Sequence, residues 1–367
     1  MSELTFQDAL VFTGGGTGGH YFPAVALAEG ARVRWPERPI AFVGACRGIE
    51  ARQLPQSSWP HLLLEVEGFL GRSPVRVLKS ALKLWQAHRF LVRTWKRERP
   101  WAVVGTGGYA SAPALLAARS LGIPYFIHES NAAPGALVRF LAKGARRVWC
   151  GMEAVQGCLP GAKCLVVGTP VRAGFLREFK PLKELAPPYR LLVLGGSGGA
   201  RAINRALVEV GQGLLEEHPG WEILHQTGPA QLESLKGSPL HARHTLVPFL
   251  EGMDGVLEGT SLLVSRAGAS TCSELIACGR PAILIPLPTS AGDHQRMNAL
   301  AMASEGRAEV VEEGPDFVPR LREAMARLMG SAEGREALSR PERNVSIQRC
   351  LEDLASGLAG AQAPVME

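Results

Sequence analysis

Leu10-Val11-Phe12-Thr13-Gly14-Gly15-Gly16-Thr17-Gly18-Gly19-His20 and Leu191-Leu192-Val193-Leu194-Gly195-Gly196-Ser197-Gly198-Gly199-Ala200 share one device. In each, a short apolar run passes into a glycine-rich turn and then into a stretch of helical character. Glycines let the backbone approach a ligand closely, and the unpaired N–H groups of a helix start attract anions. One such loop says little. Two, each at the first strand of its own half, predict twin Rossmann-like domains facing a cleft.

The sequence around both loops keeps the same rhythm. Strands are expected at Ala9–Thr13, Ile40–Val43, Leu62–Val66, Ala102–Gly105, Tyr125–His128 and Val148–Cys150 in the first half. In the second they are expected at Leu191–Leu194, Glu222–His225, Thr245–Val247, Leu262–Ser265, Ala282–Pro286 and Glu309–Val311. Helical patterns lie between most of them, which predicts an α/β protein with parallel sheets and right-handed crossovers. Gly174–Tyr189 carries Pro181, Pro187 and Pro188 and reads as the linker. A dinucleotide-binding dehydrogenase would need an acid at the end of its second strand, to hold a ribose. The segment Val43-Gly44-Ala45-Cys46-Arg47 has none.

A chain of 367 residues suits two domains. Hydrophobic residues at 46% and charged residues at 20% argue against extensive disorder. No apolar run is long enough to span a bilayer, and Met1–Leu10 shows no secretory signal. The 7 cysteines are odd in number with no CxxC spacing, so free thiols in a reducing, cytoplasmic setting are expected. The net charge of +6 is unevenly spread: residues 1–180 hold 23 Lys and Arg against 11 Asp and Glu, and the remainder is mildly acidic. Such a basic half suits nucleic acid, anionic lipid or a phosphorylated substrate. Aromatics at 6% and the absence of a nucleic-acid motif favour lipid or phosphate, and no nucleic-acid partner is expected.

At this point seven segments, in order along nearly the whole chain, resemble one family, the MurG N-acetylglucosaminyltransferases of peptidoglycan synthesis, with the GT-B fold. They are Gly15–His20 followed by Tyr21-Phe22-Pro23-Ala24; Gly107–Pro113; His128-Glu129-Ser130-Asn131; Gly168-Thr169-Pro170-Val171-Arg172; Gly195–Arg201; Arg266–Glu274; and Asp293-His294-Gln295 with Asn298-Ala299. Departures are mild: Gly198 and Ser130 each stand where glutamine is frequent, and Gly14 adds a glycine to the first loop. The resemblance implies an acceptor- and membrane-facing domain at 1–172 and a UDP-GlcNAc domain at 173–345. It also implies a final helix, about 346–367, packing back on the first domain.

The implied reaction is an inverting transfer of GlcNAc from UDP-GlcNAc to the C4 hydroxyl of undecaprenyl-pyrophosphoryl-MurNAc-pentapeptide, at the cytoplasmic face of the membrane. Ser197, Gly198 and the neighbouring N–H groups would cradle the donor diphosphate, as against forming a tight turn alone. Ala269, Ser270 and Thr271 open a helix on which Glu274 suits a ribose diol, or merely complements the helix start. Leu250, through its backbone, and Met253, through packing, resemble a uracil-recognising segment; without the family two apolar residues there read as core. Gln295 offers a donor and an acceptor to sugar hydroxyls, while Asp293 beside it reads equally as a helix N-cap. Arg172 would contact the nucleotide or form a hinge salt bridge. Thr17, Gly18, Gly19 and Asn131 would bind substrate in the first domain. His20 is the leading candidate for the base, with a purely loop-bonding role as its competitor. Glu129 is the rival base, or the residue that fixes the Asn131 segment.

No cofactor and no protein-held metal are expected, because the five aspartates form no D-x-D pair and His128 is isolated. A loosely held Mg²⁺ on the substrate diphosphate fits the same reading. Arg72–Arg99 carries nine Lys and Arg and one acid, Glu98. As a helix it would pack Val77, Ala81, Leu84, Trp85, Leu91, Val92 and Trp95 on the core. Arg76, Lys79, Lys83, Arg89 and Arg93 would then face out with Leu82 and Phe90, as a surface for anionic lipid or as an ordinary solvated basic face. Two other classes remain open: another GT-B enzyme using UDP-GlcNAc, such as a 2-epimerase or a soluble-acceptor transferase, and a non-catalytic nucleotide-sugar or lipid-binding protein.

Overall fold

A computed structural model describes residues 4–68, 74–196 and 198–359. The chain forms two compact units, passing from the first to the second between Arg172 and Ala173 and returning between Arg343 and Asn344.

The first unit is a seven-stranded sheet of β1 (Leu10–Thr13), β2 (Ile40–Ala45), β3 (His61–Leu64), β4 (Ala102–Gly105), β5 (Tyr125–Glu129), β6 (Arg147–Cys150) and β7 (Cys164–Val166). All pairings are parallel and the order is β3-β2-β1-β4-β5-β6-β7. The central strands β1, β2 and β4 are buried at every position, so they read as unbroken apolar runs. Helix α1 (Gly18–Arg34) follows β1, and α2 (Pro74–Trp95) joins β3 to β4.

The second unit repeats the plan with six parallel strands: β8 (Tyr189–Leu194), β9 (Trp221–Gln226), β10 (His244–Val247), β11 (Leu262–Ser265), β12 (Ala282–Leu284) and β13 (Ala308–Val310). Their order is β10-β9-β8-β11-β12-β13. Helices α3 (Arg201–Glu217), α4 (Ala269–Cys278) and α5 (His294–Ser304) follow β8, β11 and β12. The last helix, α6 (Ser346–Ala359), lies in the first unit against α1, where Gly30 leaves room for Ile347. Asp353 on α6 accepts hydrogen bonds from Arg147 Nε at 3.0 Å and Trp149 Nε1 at 2.8 Å.

Two expectations need correction. Strand β7 was not foreseen; it is three residues long and sits at the sheet edge. Helix α2 buries Ser80, Ala87, Leu91 and Trp95 and half-buries Leu84 and Val92, while Val77, Ala81 and Trp85 are exposed. A helix of 22 residues runs about 33 Å, whereas a four-residue strand spans about 13 Å, so its first half outruns the surface it packs on. Of the expected outward cations, Lys83 is tied down: its Nζ lies 2.9 Å from Glu67 and 3.6 Å from Glu65. Arg72 lies outside the described residues.

Candidate active site

In each unit the strand order reverses once, at β1/β4 and at β8/β11, and the glycine loop leaves the carboxyl end of the strand on one side of that point. Open parallel sheets place ligands at this switch point.

In the first unit the loop after β1 ends in α1, whose N-cap Thr17 makes no side-chain capping bond. The first intrahelical bonds run to Thr17 O from the amides of His20 and Tyr21, which leaves Gly18 and Gly19 N–H as helix-start donors. His20 meets the loop after β4. Its Nδ1 is 3.0 Å from the Thr106 carbonyl, and a carbonyl only accepts, so Nδ1 carries the proton and Nε2 is the basic nitrogen. Thr106 Oγ1 donates back to the His20 carbonyl at 2.6 Å. Gly107 and Gly108 give the ring its space: a Cβ on either would lie 2.8 Å or 3.1 Å from the imidazole.

Beneath the loop lies Glu50, fully buried, which the sequence reading passed over. Its Oε2 accepts from Gly16 N at 2.7 Å, and its Oε1 has no partner. A Cβ on Gly15, Gly44 or Gly48 would strike this side chain at 2.3, 3.0 or 2.7 Å. Burial raises its carboxyl above the ordinary range, only partly offset by backbone hydrogen bonds. The only local signal was an acid placed directly after Gly48-Ile49.

Glu129 is buried, and both its oxygens are in use. Oε1 accepts from Asn131 N and Nδ2, each at 3.0 Å, and Oε2 accepts from Gly135 N at 3.0 Å. Of its two expected roles, this geometry is that of a residue fixing the Asn131 segment. His128 is fully buried, and burial pulls its imidazole down to about 4. Its Nε2 lies 3.0 Å from the Gly168 carbonyl, so the neutral ring pins the turn leading to Arg172. The Arg172 guanidinium stands 5.1 Å over the Phe22 ring.

In the second unit two helices start without side-chain caps beside the switch point, α3 after Ala200 and α4 after Gly268. The amides of Ala269, Ser270 and Thr271 are the first three of α4. Ser270 Oγ is shielded from solvent with no hydrogen-bond partner. Two uncapped helix starts with an unsatisfied hydroxyl offer donors of the kind that attract anions. Glu274 lies half-buried on the next turn of α4. Ser197 lies outside the described residues, so Gly198 represents the third loop here.

After β10, the Leu250 amide donates to Gln226 Oε1 at 2.9 Å, which leaves only its carbonyl for a ligand. Phe249 is exposed, and Met253 is half-buried at the start of a short helix. Gln295 accepts from Leu287 N at 3.0 Å through Oε1, and its amide nitrogen has no partner among the described residues. Asp293 is the N-cap residue of α5 with φ 58, and its side chain makes no capping bond. The side chains that shape this loop from below, Gln226, Gln231 and Asn204, were also missed; amides carry no periodicity that marks them as braces.

Known proteins resemble this chain over most of its length. The glycosyltransferase family 28 N-terminal domain matches residues 10–150, and the family 28 C-terminal domain matches residues 190–347. A UDP-N-acetylglucosamine–N-acetylmuramyl-(pentapeptide) pyrophosphoryl-undecaprenol N-acetylglucosamine transferase of Syntrophotalea carbinolica is 42% identical over 309 residues, covering 82% of this chain and 84% of that protein. The crystal structure of Acinetobacter baumannii MurG superposes with a TM-score of 0.68 at 27% identity, over 94% of this chain and 98% of that one. A putative UDP-N-acetylglucosamine 2-epimerase from Listeria monocytogenes also gives 0.68, covering 99% of each chain, but at 13% identity it shares the fold alone. Two Rossmann-like domains, a glycine loop at each switch point and relatives matched over most of their length place this chain in glycosyltransferase family 28, among the MurG N-acetylglucosaminyltransferases.

Proposed function

We propose that this enzyme transfers GlcNAc from UDP-GlcNAc to the C4 hydroxyl of MurNAc-(pentapeptide)-pyrophosphoryl-undecaprenol, converting lipid I to lipid II. The observation that carries the reading is the imidazole of His20, held at the first unit's switch point with its basic Nε2 fixed by the Nδ1–Thr106 contact. In the reaction Nε2 accepts the proton of the acceptor C4 hydroxyl. The hydroxyl oxygen bonds to C1 of the α-linked sugar from the face opposite UDP, the C1–O bond to the diphosphate breaks, and a β-1,4 linkage results.

Ala269, Ser270, Thr271 and the loop of Ser197 and Gly198 stabilise the charge growing on UDP. Glu274 holds the ribose, Leu250 and Met253 the base, and Gln295 a sugar hydroxyl through its amide nitrogen. Arg172 adds a cation toward the nucleotide. Thr17, Gly18, Gly19 and Asn131 bind the acceptor side, with Glu129 fixing Asn131. We assign no metal to protein ligands; Mg²⁺, where it acts, would ride on the substrate diphosphate.

We further propose that α2 lies on an anionic membrane surface. Leu78 is 72% exposed and Leu82 54%, with Val75, Trp85 and Phe90 also outward among Arg76, Lys79, Arg89 and Arg93. No helix among the described residues is long and apolar enough to cross a membrane. Apolar side chains within a basic field suit an interfacial helix. The test of the main reading is transfer of radiolabelled GlcNAc from UDP-GlcNAc to lipid-linked muramyl pentapeptide. Label in a β-linked, butanol-extractable product is expected; label recovered only as a free 2-epimer would replace this reading with an epimerase.

A further inference from the structure

Gln226 is the last residue of β9, and the sheet register sets it beside two loops at once. It pairs with Leu194, the last residue of β8, and with Val247, the last residue of β10. The glycine loop starts immediately after Leu194, and the Phe249–Met253 segment starts just beyond Val247. The Gln226 side chain, 3% exposed, reaches one atom into each. Its Nε2 donates to the Gly196 carbonyl at 3.1 Å, and its Oε1 accepts from the Leu250 amide at 2.9 Å. The amide orientation is fixed by chemistry, since a carbonyl only accepts and an N–H only donates.

We propose that Gln226 is a positioning residue that couples the diphosphate loop to the base-recognising segment, so that UDP is bound as one ligand rather than as two fragments. This rests on the donor-site reading above. Turning the Gly196 carbonyl down toward Gln226 takes its negative end away from the place where phosphate oxygens sit. Holding the Leu250 amide leaves that residue's carbonyl as the group presented to a ligand. A neutral amide does both without adding charge next to a diphosphate. Aspartate or glutamate could hold Leu250 but would repel both Gly196 O and the ligand. A buried side chain whose Nε2 and Oε1 are both spent on two loops acts through them.

The experiment uses the full chain with two variants, Gln226→Met and Gln226→Glu, and three probes: UDP by calorimetry, uridine and inorganic pyrophosphate by ligand-detected NMR. Gln226→Met should weaken UDP about 10- to 30-fold, the worth of two hydrogen bonds, while uridine and pyrophosphate each change about threefold or less. Gln226→Glu should keep uridine near wild type, because its carboxylate still accepts from Leu250 N, and should weaken pyrophosphate and UDP together. Unchanged UDP affinity in both variants overturns the proposal, as does an equal loss for all three probes in both. A wild-type chain that fails to bind UDP would instead overturn the donor-site reading itself.

Discussion

Beneath Gly14–Gly16 the first unit buries a carboxyl, Glu50, whereas beneath Gly195–Ala200 the second places the neutral amides of Gln226, Gln231 and Asn204. The two loops look alike in sequence, yet their supports suit different chemistry. Glu50 is a carboxyl with one unpartnered oxygen, and burial disfavours its negative form. The second loop hangs from uncharged donors. Gln231 Nε2 binds the Gly198 carbonyl at 3.1 Å, Asn204 Nδ2 binds Gln231 Oε1 at 3.0 Å, and His225 Nε2 lies 3.0 Å from Asn204 Oδ1. His225 and His244 are held neutral by burial, at about 3 and about 4, so this chain of donors adds no charge at neutral pH. A glycine loop therefore announces only that something approaches the backbone closely. The side chains below differ between the loop proposed for the acceptor and the loop proposed for UDP.

The largest expected effect would break the comparison on the first unit's side. His20→Ala should lower kcat about 10²- to 10⁴-fold with the KM for UDP-GlcNAc near normal. A raised acceptor KM with kcat intact would make His20 an acceptor-binding group instead. Next comes the second unit: Glu274→Ala should cost about 1.5–3 kcal/mol of donor affinity, the usual worth of hydrogen bonds to a charged group. Isothermal calorimetry giving wild-type UDP-GlcNAc affinity for that variant removes Glu274 from the site.

A smaller effect concerns acid. His225 and His244 titrate well below the 6.5 of a free imidazole. Below pH 6.5 the unfolded chain takes up protons that the folded one refuses, so stability present above that pH is lost progressively as pH falls toward 4. Each group contributes about 1.4 kcal/mol per pH unit in this window. His244→Gln keeps a donor for His225 and removes one titration, so its melting temperature should fall less steeply between pH 6.5 and 4. Parallel curves for variant and wild type would dissociate the imidazole pair from acid lability. Glu50, whose carboxyl is raised, works in the opposite sense: its contribution is present at low pH and lost as pH rises through its folded value.

How much of this could be read from the sequence follows from the same contrast. Among the described residues twelve of the thirteen strands announced themselves, most plainly the central ones, because a buried parallel strand must be apolar on both faces, and only β7 escaped. The loops and His20 were legible because glycine and histidine are chemically distinctive. Gln226, Asn204 and Glu50 were not, since each matters through a register or a packing that exists only after folding. Trp85 was misplaced for a related reason: periodicity reveals an arc of a helix, not how far the surface beneath it extends.

The smallest expected effect is on α2, about 1 kcal/mol per cation near an anionic surface. Wild type should co-sediment with anionic vesicles at physiological salt, and Leu78→Ser/Leu82→Ser and Arg76→Glu/Lys79→Glu should each bind less. Lys83 is left alone because its ion pair with Glu67 would confound the result. Equal binding by all three proteins would move the membrane contact elsewhere.

The division of labour between the loops is tested most directly by hydrogen exchange of the full chain with and without saturating UDP. The account predicts slowed exchange in the peptides covering 195–200, 249–253 and 269–274, with the peptide covering 14–20 unchanged. Protection of 14–20 without protection of 195–200 would contradict it, and would place the nucleotide on the loop that Glu50 supports.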